Sequence, residues 1–438
     1  MIRRRGMERR GGGPDIPCHS LKVIMFISLL CTTMTSLSFY SSTCAKTPDT
    51  LNNMETYKRD APQTLNSSAA MKTSFKFPTI EERVKYYMGS WYEKNLTVPT
   101  SAESALCKDL YRASSNSRID SSKVVLYSFT DLQKRHQMPK SWLSVYLKDV
   151  TNVLTFVESK VNQGEEEEKY IMLQIGDEFS LDHNKPVIAK SRGYEIEKEG
   201  QEEYYKPIIW PLHIERHFSP IWELSKINQT QWSEKKDEVV WRGSCTGLTR
   251  LISPGVRLVF VAKHKDNTHN GVDVALTGGK CPGKSKLVDI RPDQSFYREH
   301  MDMEETLRYK YLLNLEGNDA STGLKWMLGS NSVVFMPPPT ALTFAMESML
   351  VPYVHYVPVK RDGSDLLSQL EWAKKNDEKC RWISEQATKY IENLWTSDQA
   401  QKDWIVIKHM MGNMYHNKFS QALAVCFSGC PVNKRCSG

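Results

Sequence analysis

YKYLLNLEGNDASTGLKWMLGSNSVVFMPPPTALTFAMESMLVPYVHYVP, residues Tyr309–Pro358, places a strand, a turn, a helix and a second strand in quick succession. The apolar run Tyr311–Leu315 halts at Glu316-Gly317-Asn318-Asp319. A helical stretch follows over about 320–328, and then a second apolar run, Ser332–Met336. Units of this kind build parallel sheets and predict an α/β fold. A helix that opens just beyond a strand end gathers unpaired backbone N–H groups and the positive end of its dipole, and phosphates bind there. Asn318, Asp319 and Ser321 stand at that opening, where Asn and Asp also serve as ordinary N-caps. Lys325 follows one turn later, within reach of the same spot.

The surrounding chain alternates in the same way. Thr79-x-x-Glu82 reads as a capping box, with Val84, Tyr87 and Met88 at helical spacing and Gly89 as the stop. Another helix is predicted from Trp142 to Phe156. Strands are predicted at Tyr170–Gly176, Ile208–Trp210, Glu238–Trp241, Arg257–Ala262 and Val272–Leu276. Glu378–Trp395 reads as a helix with Ile383, Ala387, Tyr390, Ile391 and Leu394 on one face. A domain boundary is expected near residues 231–236. That gives an N-terminal domain over 79–235, a second domain over 236–395, and a helix with a Cys-containing tail over 396–438.

The first residues carry a different signal. Six basic side chains and two acidic ones in residues 1–22 account for +4 of the net charge of +7. The remainder, +3, does not suggest a nucleic-acid partner. The basic leader precedes an apolar run, and residues 23–42 read as a signal anchor or a signal peptide. Residues 43–78 read as a flexible stem rich in Ser, Thr, Lys and Pro. A lumenal location follows for the rest. Asn66, Asn95 and Asn228 are then glycosylation acceptors, and Cys107, Cys245, Cys281, Cys380, Cys426, Cys430 and Cys436 can form disulfides. The Cys426-x3-Cys430-x5-Cys436 tail reads as a disulfide cluster, with zinc as the alternative.

Asp177 stands just after a predicted buried strand, where ligands gather in open α/β sheets. A carboxylate there can act as a general base or simply as a turn residue. In Lys236-x4-Trp241-Arg242-Gly243, a strand ends on an Arg suited to gripping phosphate oxygens. The P-loop and dinucleotide fingerprints are missing, as are HExxH and an Asp-x-Asp pair. Asp302-Met-Glu304 reads as an exposed helix start, and His213, His217 and His355 as packing or hydrogen-bonding residues.

In combination these segments resemble glycosyltransferase family 90, the capsule-associated-protein type that includes protein O-glucosyltransferases and capsule xylosyltransferases. The resemblance rests on Ile175-Gly176-Asp177, Pro186-Val-Ile-Ala-Lys190-Ser-Arg192, Arg216-His217-Phe218 and Lys236-x4-Trp241-Arg242-Gly243. It continues through Tyr309-Lys310-Tyr311, Glu316-Gly317-Asn318-Asp319, Leu324-Lys325-Trp326, Pro352-x-x-His355-Tyr356-x-Pro358, Asp365-Leu366 and Glu371-Trp372, over roughly residues 165–400. The form of the turn and of Lys325-Trp326 is closer to the bacterial lipopolysaccharide-type and algal branch than to the animal enzymes.

The resemblance implies a GT-B fold, two Rossmann-like domains with the donor between them. It implies an inverting, metal-independent transfer of a hexose or pentose, glucose or xylose, from a UDP-sugar to a hydroxyl of a protein or glycan. Asp177 matches the family's base. Lys190, Arg192, Lys236 and Arg242 match donor-side positions, and Gly317, Asn318, Asp319 and Ser321 match the loop under the diphosphate. Animal members carry an Arg where this chain has Gly323, so Lys325 or Arg192 is expected to supply that charge. A catalytically inactive relative that binds glycans or partner enzymes is the alternative. The tail, ending Lys434-Arg-Cys-Ser-Gly438, has no KDEL-like signal, which with an anchor favours Golgi over endoplasmic reticulum.

Overall fold

The computed structural model describes residues 75–101, 104–108, 110, 123–128, 140–157, 170–175, 185–193, 207–212, 214–247, 255–278, 281 and 290–427. The predicted anchor, the predicted stem as far as residue 74, Asp177, and the tail cysteines Cys430 and Cys436 lie outside them. Among the described residues, no helix is long and apolar enough to cross a membrane.

Strands and helices alternate in an α/β arrangement built on two larger sheets. The first runs β1 (Lys123–Ser128), β2 (Tyr170–Ile175), β3 (Val187–Ala189) and β5 (Ile208–Ile209), with β1 antiparallel at the edge and the others parallel. The second is wholly parallel, in the order β11 (Val357–Pro358), β9 (Val333–Met336), β8 (Tyr309–Leu313), β6 (Lys236–Ser244) and β7 (Val272–Gly278). All five β8 residues are buried, as are all four of β9. Parallel strands covered on both faces need such unbroken apolar runs. The opening unit is therefore real, but its helix is shorter than expected. It spans only Leu324–Leu328, and residues 314–323 form a long turn instead of its first turns.

Arg257–Ala262, expected as a strand, lies inside a helix, Val256–His264. β6 and β7 are adjacent and parallel, and such a pair requires a crossover, usually helical. Only residues 245–271 can supply it. The β-branched, apolar composition of the segment reflects burial of Val256, Leu258, Phe260 and Val261 against the sheet.

The sheets part at the expected 231–236 boundary, but the core does not divide there. One apolar cluster joins Val84, Trp210 and Phe218 to Leu324, Val334 and Tyr390. A short antiparallel pair, β4 (Ser191–Gly193) with β10 (Ala341–Thr343), stitches the two sequence halves together. The chain end returns as well. The helix Asp398–Tyr415 packs on Lys140–Val157, so closely at Gly412 that a side chain there would meet the Phe156 backbone. The Tyr415 hydroxyl donates to Pro186 O at 2.9 Å and accepts from Met172 N at 3.0 Å. Cys426 is bonded to Cys107, 319 residues away, rather than within a tail cluster, and Cys245 is bonded to Cys281. Residues 396–427 thus belong structurally with the first sheet.

Local expectations at chain ends of helices hold. Thr79 and Glu82 form a reciprocal capping box, Gly89 closes that helix at φ 57°, and Asp302 caps Met303–Thr306. Asp377–Ile391 buries Ile383, Ala387, Tyr390 and Ile391, as its periodicity demands. His355 is a packing residue: its Nδ1 accepts from Val351 N at 2.9 Å and its ring stands edge-on to Phe75.

Candidate active site

The carboxyl ends of β6 and β8 open into a cleft of about 470 Å³, within the range of small-molecule sites. Six cationic or imidazole groups line it: Lys190, Arg216, His217, Arg242, Arg257 and His300. The turn after β8 forms one wall, from Asn314 through Gly323. Trp326, Met327 and Met301 supply an apolar side.

The turn is held from below and from both flanks. Glu316 accepts from Thr340 N (2.7 Å), Thr340 Oγ1 (2.5 Å) and Ala341 N (3.1 Å), and pairs with Arg361 at 3.2 Å. Asn318 Oδ1 accepts from Gly247 N at 3.2 Å, tying the turn to the loop after β6. Asp319 pairs with Lys190 Nζ at 2.9 Å, both side chains being buried, and Ser191 Oγ donates to the same carboxylate at 3.4 Å. Two residues read as donor contacts therefore bind each other across the two halves. Ser321 is buried and lines the cleft, but neither it nor Asn318 caps the helix, whose N-cap position is Gly323 with no side-chain hydrogen bond.

Arg257, in the first turn of Val256–His264, is the cation nearest this turn that sequence reading missed. Its Nη1 donates to Ser244 O (3.2 Å), Ser244 Oγ (3.3 Å) and Thr246 Oγ1 (2.9 Å), and its Nη2 to Leu315 O (3.1 Å). Burial lowers its pKa to about 10, against the opposing pull of Asp319 and Glu316. A Cβ on Gly317 would lie 3.2 Å from Nη2, so the absence of a side chain there lets the guanidinium sit against the turn. The available signal was Pro254-Gly255, punctuation that marks a helix start better than a strand.

Arg242 projects from β6 into the same cleft. Its Nη2 pairs with Asp273 Oδ2 at 2.8 Å, and its Nη1 donates to Trp241 O and Asp273 O, each at 3.0 Å. Gly243 makes room for the Trp241 ring, since a Cβ there would come within 2.6 Å of Cζ2.

The remaining expected donor contacts lie elsewhere. Lys236 is exposed at the amino end of β6, beside Tyr309. Six residues of strand separate it from Arg242, about 20 Å, and ligands gather at the other end. Arg192 is buried beneath the helix Ile80–Met88, where Nη2 donates to Tyr86 O at 2.5 Å and the guanidinium lies over the Tyr86 ring. Lys325 is 1% exposed, with Nζ 5.7 Å from the Phe218 ring centroid and no hydrogen-bond acceptor among the described residues. Burial lowers its pKa, partly offset by Glu347 and Asp319. Neither Arg192 nor Lys325 lines the cleft, so neither replaces a cation at Gly323. The guanidinium groups that do line it are those of Arg216, Arg242 and Arg257.

Residues 212–419 match the model of glycosyl transferase family 90. They span both sides of the cleft, from Arg216 to the returning helix. This segment belongs to that family. The chain is 32% identical over 171 residues to O-glucosyltransferase LpsA of Dichelobacter nodosus, covering 37% of this chain and 48% of that protein. It is 31% identical over 176 residues to protein O-glucosyltransferase 2 of Danio rerio, covering 40% and 30%. It is 26% identical over 212 residues to human protein O-glucosyltransferase 1, covering 45% and 48%. The chain thus spans about half or less of the length of these relatives.

Proposed function

We propose that this chain is an inverting transferase that moves glucose or xylose from a UDP-sugar to a hydroxyl of a protein or glycan, with no metal ion required. The observation that carries this reading is the cleft at the carboxyl ends of β6 and β8, where Arg257 and Arg242 face the Asn314–Gly323 turn. A nucleoside diphosphate has the charge and the size for it. Asp177 takes the acceptor proton as the hydroxyl oxygen attacks the anomeric carbon, and UDP departs from the opposite face, inverting the centre. The two guanidinium groups stabilise charge growing on the leaving diphosphate from fixed positions in a partly desolvated site.

Two sheets with a ligand cleft at strand ends support a GT-B layout of two Rossmann-like domains. Residues 23–42 serve as the anchor of a type II protein of the secretory pathway, most naturally in the Golgi. Two disulfides and the exposed positions of Asn95 and Asn228 support the lumenal placement.

UDP added to the purified full-length chain is expected to raise its unfolding midpoint, by about 2.7 kcal/mol of stability when UDP stands at a hundred times its dissociation constant. Arg257→Gln should weaken UDP about tenfold, the size of one charge-assisted hydrogen bond. No shift at millimolar UDP would support instead an inactive relative that binds glycans or partner enzymes, the reading that Gly323 favours.

A further inference from the structure

The second residue of β7, Asp273, holds two arginines at once. Its Oδ2 pairs with Arg242 at 2.8 Å, and its Oδ1 pairs with Arg298. Its backbone carbonyl takes a further bond from Arg242 Nη1 at 3.0 Å. Arg298 in turn donates to Lys265 O at 3.1 Å and Thr268 Oγ1 at 2.9 Å, so the far side of the carboxylate is fixed to the crossover between the helix Val256–His264 and β7. Asp273 and Arg242 are nearly buried, at 13% and 10% side-chain exposure, whereas Arg298 is 32% exposed.

The arrangement leaves Arg242 selectively unsatisfied. Three of its five N–H groups have acceptors in Trp241 O, Asp273 O and Asp273 Oδ2. Nε is buried with no hydrogen-bond partner among the described residues. Nε and Nη2 share the edge of a guanidinium that grips two oxygens of one phosphate. The charges also fail to cancel: two cations share one carboxylate, so the triad keeps a net positive charge beside the cleft. An Arg242–Asp273 pair alone would be neutral.

We infer that Asp273 is a positioning residue for the donor: it clamps Arg242 by its Nη end so that the Nε edge is presented to a nucleoside diphosphate, while Arg298 balances the carboxylate and preserves the site's positive charge. Asp273 itself does not line the cleft and acts through Arg242. The inference rests on the donor reading proposed above.

Calorimetric titration of UDP into the full-length chain tests it. Asp273→Asn keeps the side-chain shape and removes the charge. It should weaken UDP about tenfold, as loss of a charge-assisted hydrogen bond does. In an Arg242→Gln background the same change should cost less than about twofold, because the residue it orients is gone. An undiminished affinity in Asp273→Asn, or the same loss in both backgrounds, would overturn the inference while leaving the donor site intact. Failure of the unaltered chain to bind UDP would instead overturn the donor reading on which it depends. Should Asp273→Asn not fold, Arg298→Gln is the second variant. It leaves Asp273 to neutralise Arg242 alone, so UDP affinity should fall severalfold with little change in unfolding midpoint; unchanged affinity would refute the inference.

Discussion

Arg257 and Lys325 show how burial sorts cations between a ligand cleft and a core. Arg257 has five N–H groups, and neighbouring carbonyls and hydroxyls satisfy enough of them to hold a charged group at the edge of a cavity. Lys325 has no such partners among the described residues and lies between the Phe218 and Phe344 rings, its charge opposed by burial and supported by Glu347. Their sequence neighbourhoods misled in opposite directions. Lys325 sits beside a phosphate-like turn, and Arg257 inside a run that looked like a strand. Side-chain direction decided both, and a single sequence does not encode it. His355 illustrates a burial effect with a pH consequence. Burial lowers its pKa to about 4 from 6.5, and Nδ1 is occupied as an acceptor from Val351 N. The unfolded chain therefore binds the proton first, so stability is intact above pH 6.5 and is lost as pH falls toward 4. Between pH 6.5 and 5 the loss is on the order of 2 kcal/mol. Chemical denaturation at those two pH values should show it, with a smaller pH dependence in His355→Asn. Equal pH dependence in the two proteins would contradict the assignment.

At the scale of elements, the strands were the most legible part. β8 and β9 are near-continuous buried runs closed by turn residues, while β6 and β7 carry shorter apolar centres, Val239–Trp241 and Val274–Leu276, and such runs leave few alternatives to buried parallel strands. Two errors arose where an element's meaning depends on its neighbours. Val256–His264 is helical because adjacent parallel strands need a crossover, a constraint visible only once β6 and β7 are known to pair. Lys236 was grouped with Arg242 because both flank Trp241 in one motif, although they occupy opposite ends of β6. The strand geometry makes a clear prediction. Lys236→Ala should leave UDP affinity within about twofold of the unaltered chain, whereas Arg242→Gln should lose about tenfold, the size of one charge-assisted hydrogen bond. Calorimetric titration compares them directly. A large loss from Lys236→Ala alone would mean that the donor lies elsewhere.

On the scale of the whole molecule, the chain end completes the first sheet's surroundings rather than trailing from the second. Cys107–Cys426 joins segments 319 residues apart, and Tyr415 bridges β2 to the segment before β3. No local pattern announces such a return. The Cys426-x3-Cys430-x5-Cys436 spacing pointed to a cluster within the tail, because spacing reports proximity in sequence only. Removing this bond by Cys107→Ser with Cys426→Ser should cost about 2–5 kcal/mol. Denaturant titration should place the midpoint lower, and an unchanged midpoint would show that the packing of Asp398–Tyr415 alone secures the return. The central claim concerns what the assembled cleft does. Its most direct test is release of UDP from UDP-glucose and UDP-xylose in the presence of EDTA, by the full-length chain and by Asp177→Asn. The expected result is metal-independent turnover of at least one donor by the unaltered chain, abolished in Asp177→Asn with UDP binding retained. Wild-type rates in Asp177→Asn, or no turnover of either donor by the unaltered chain, would contradict it.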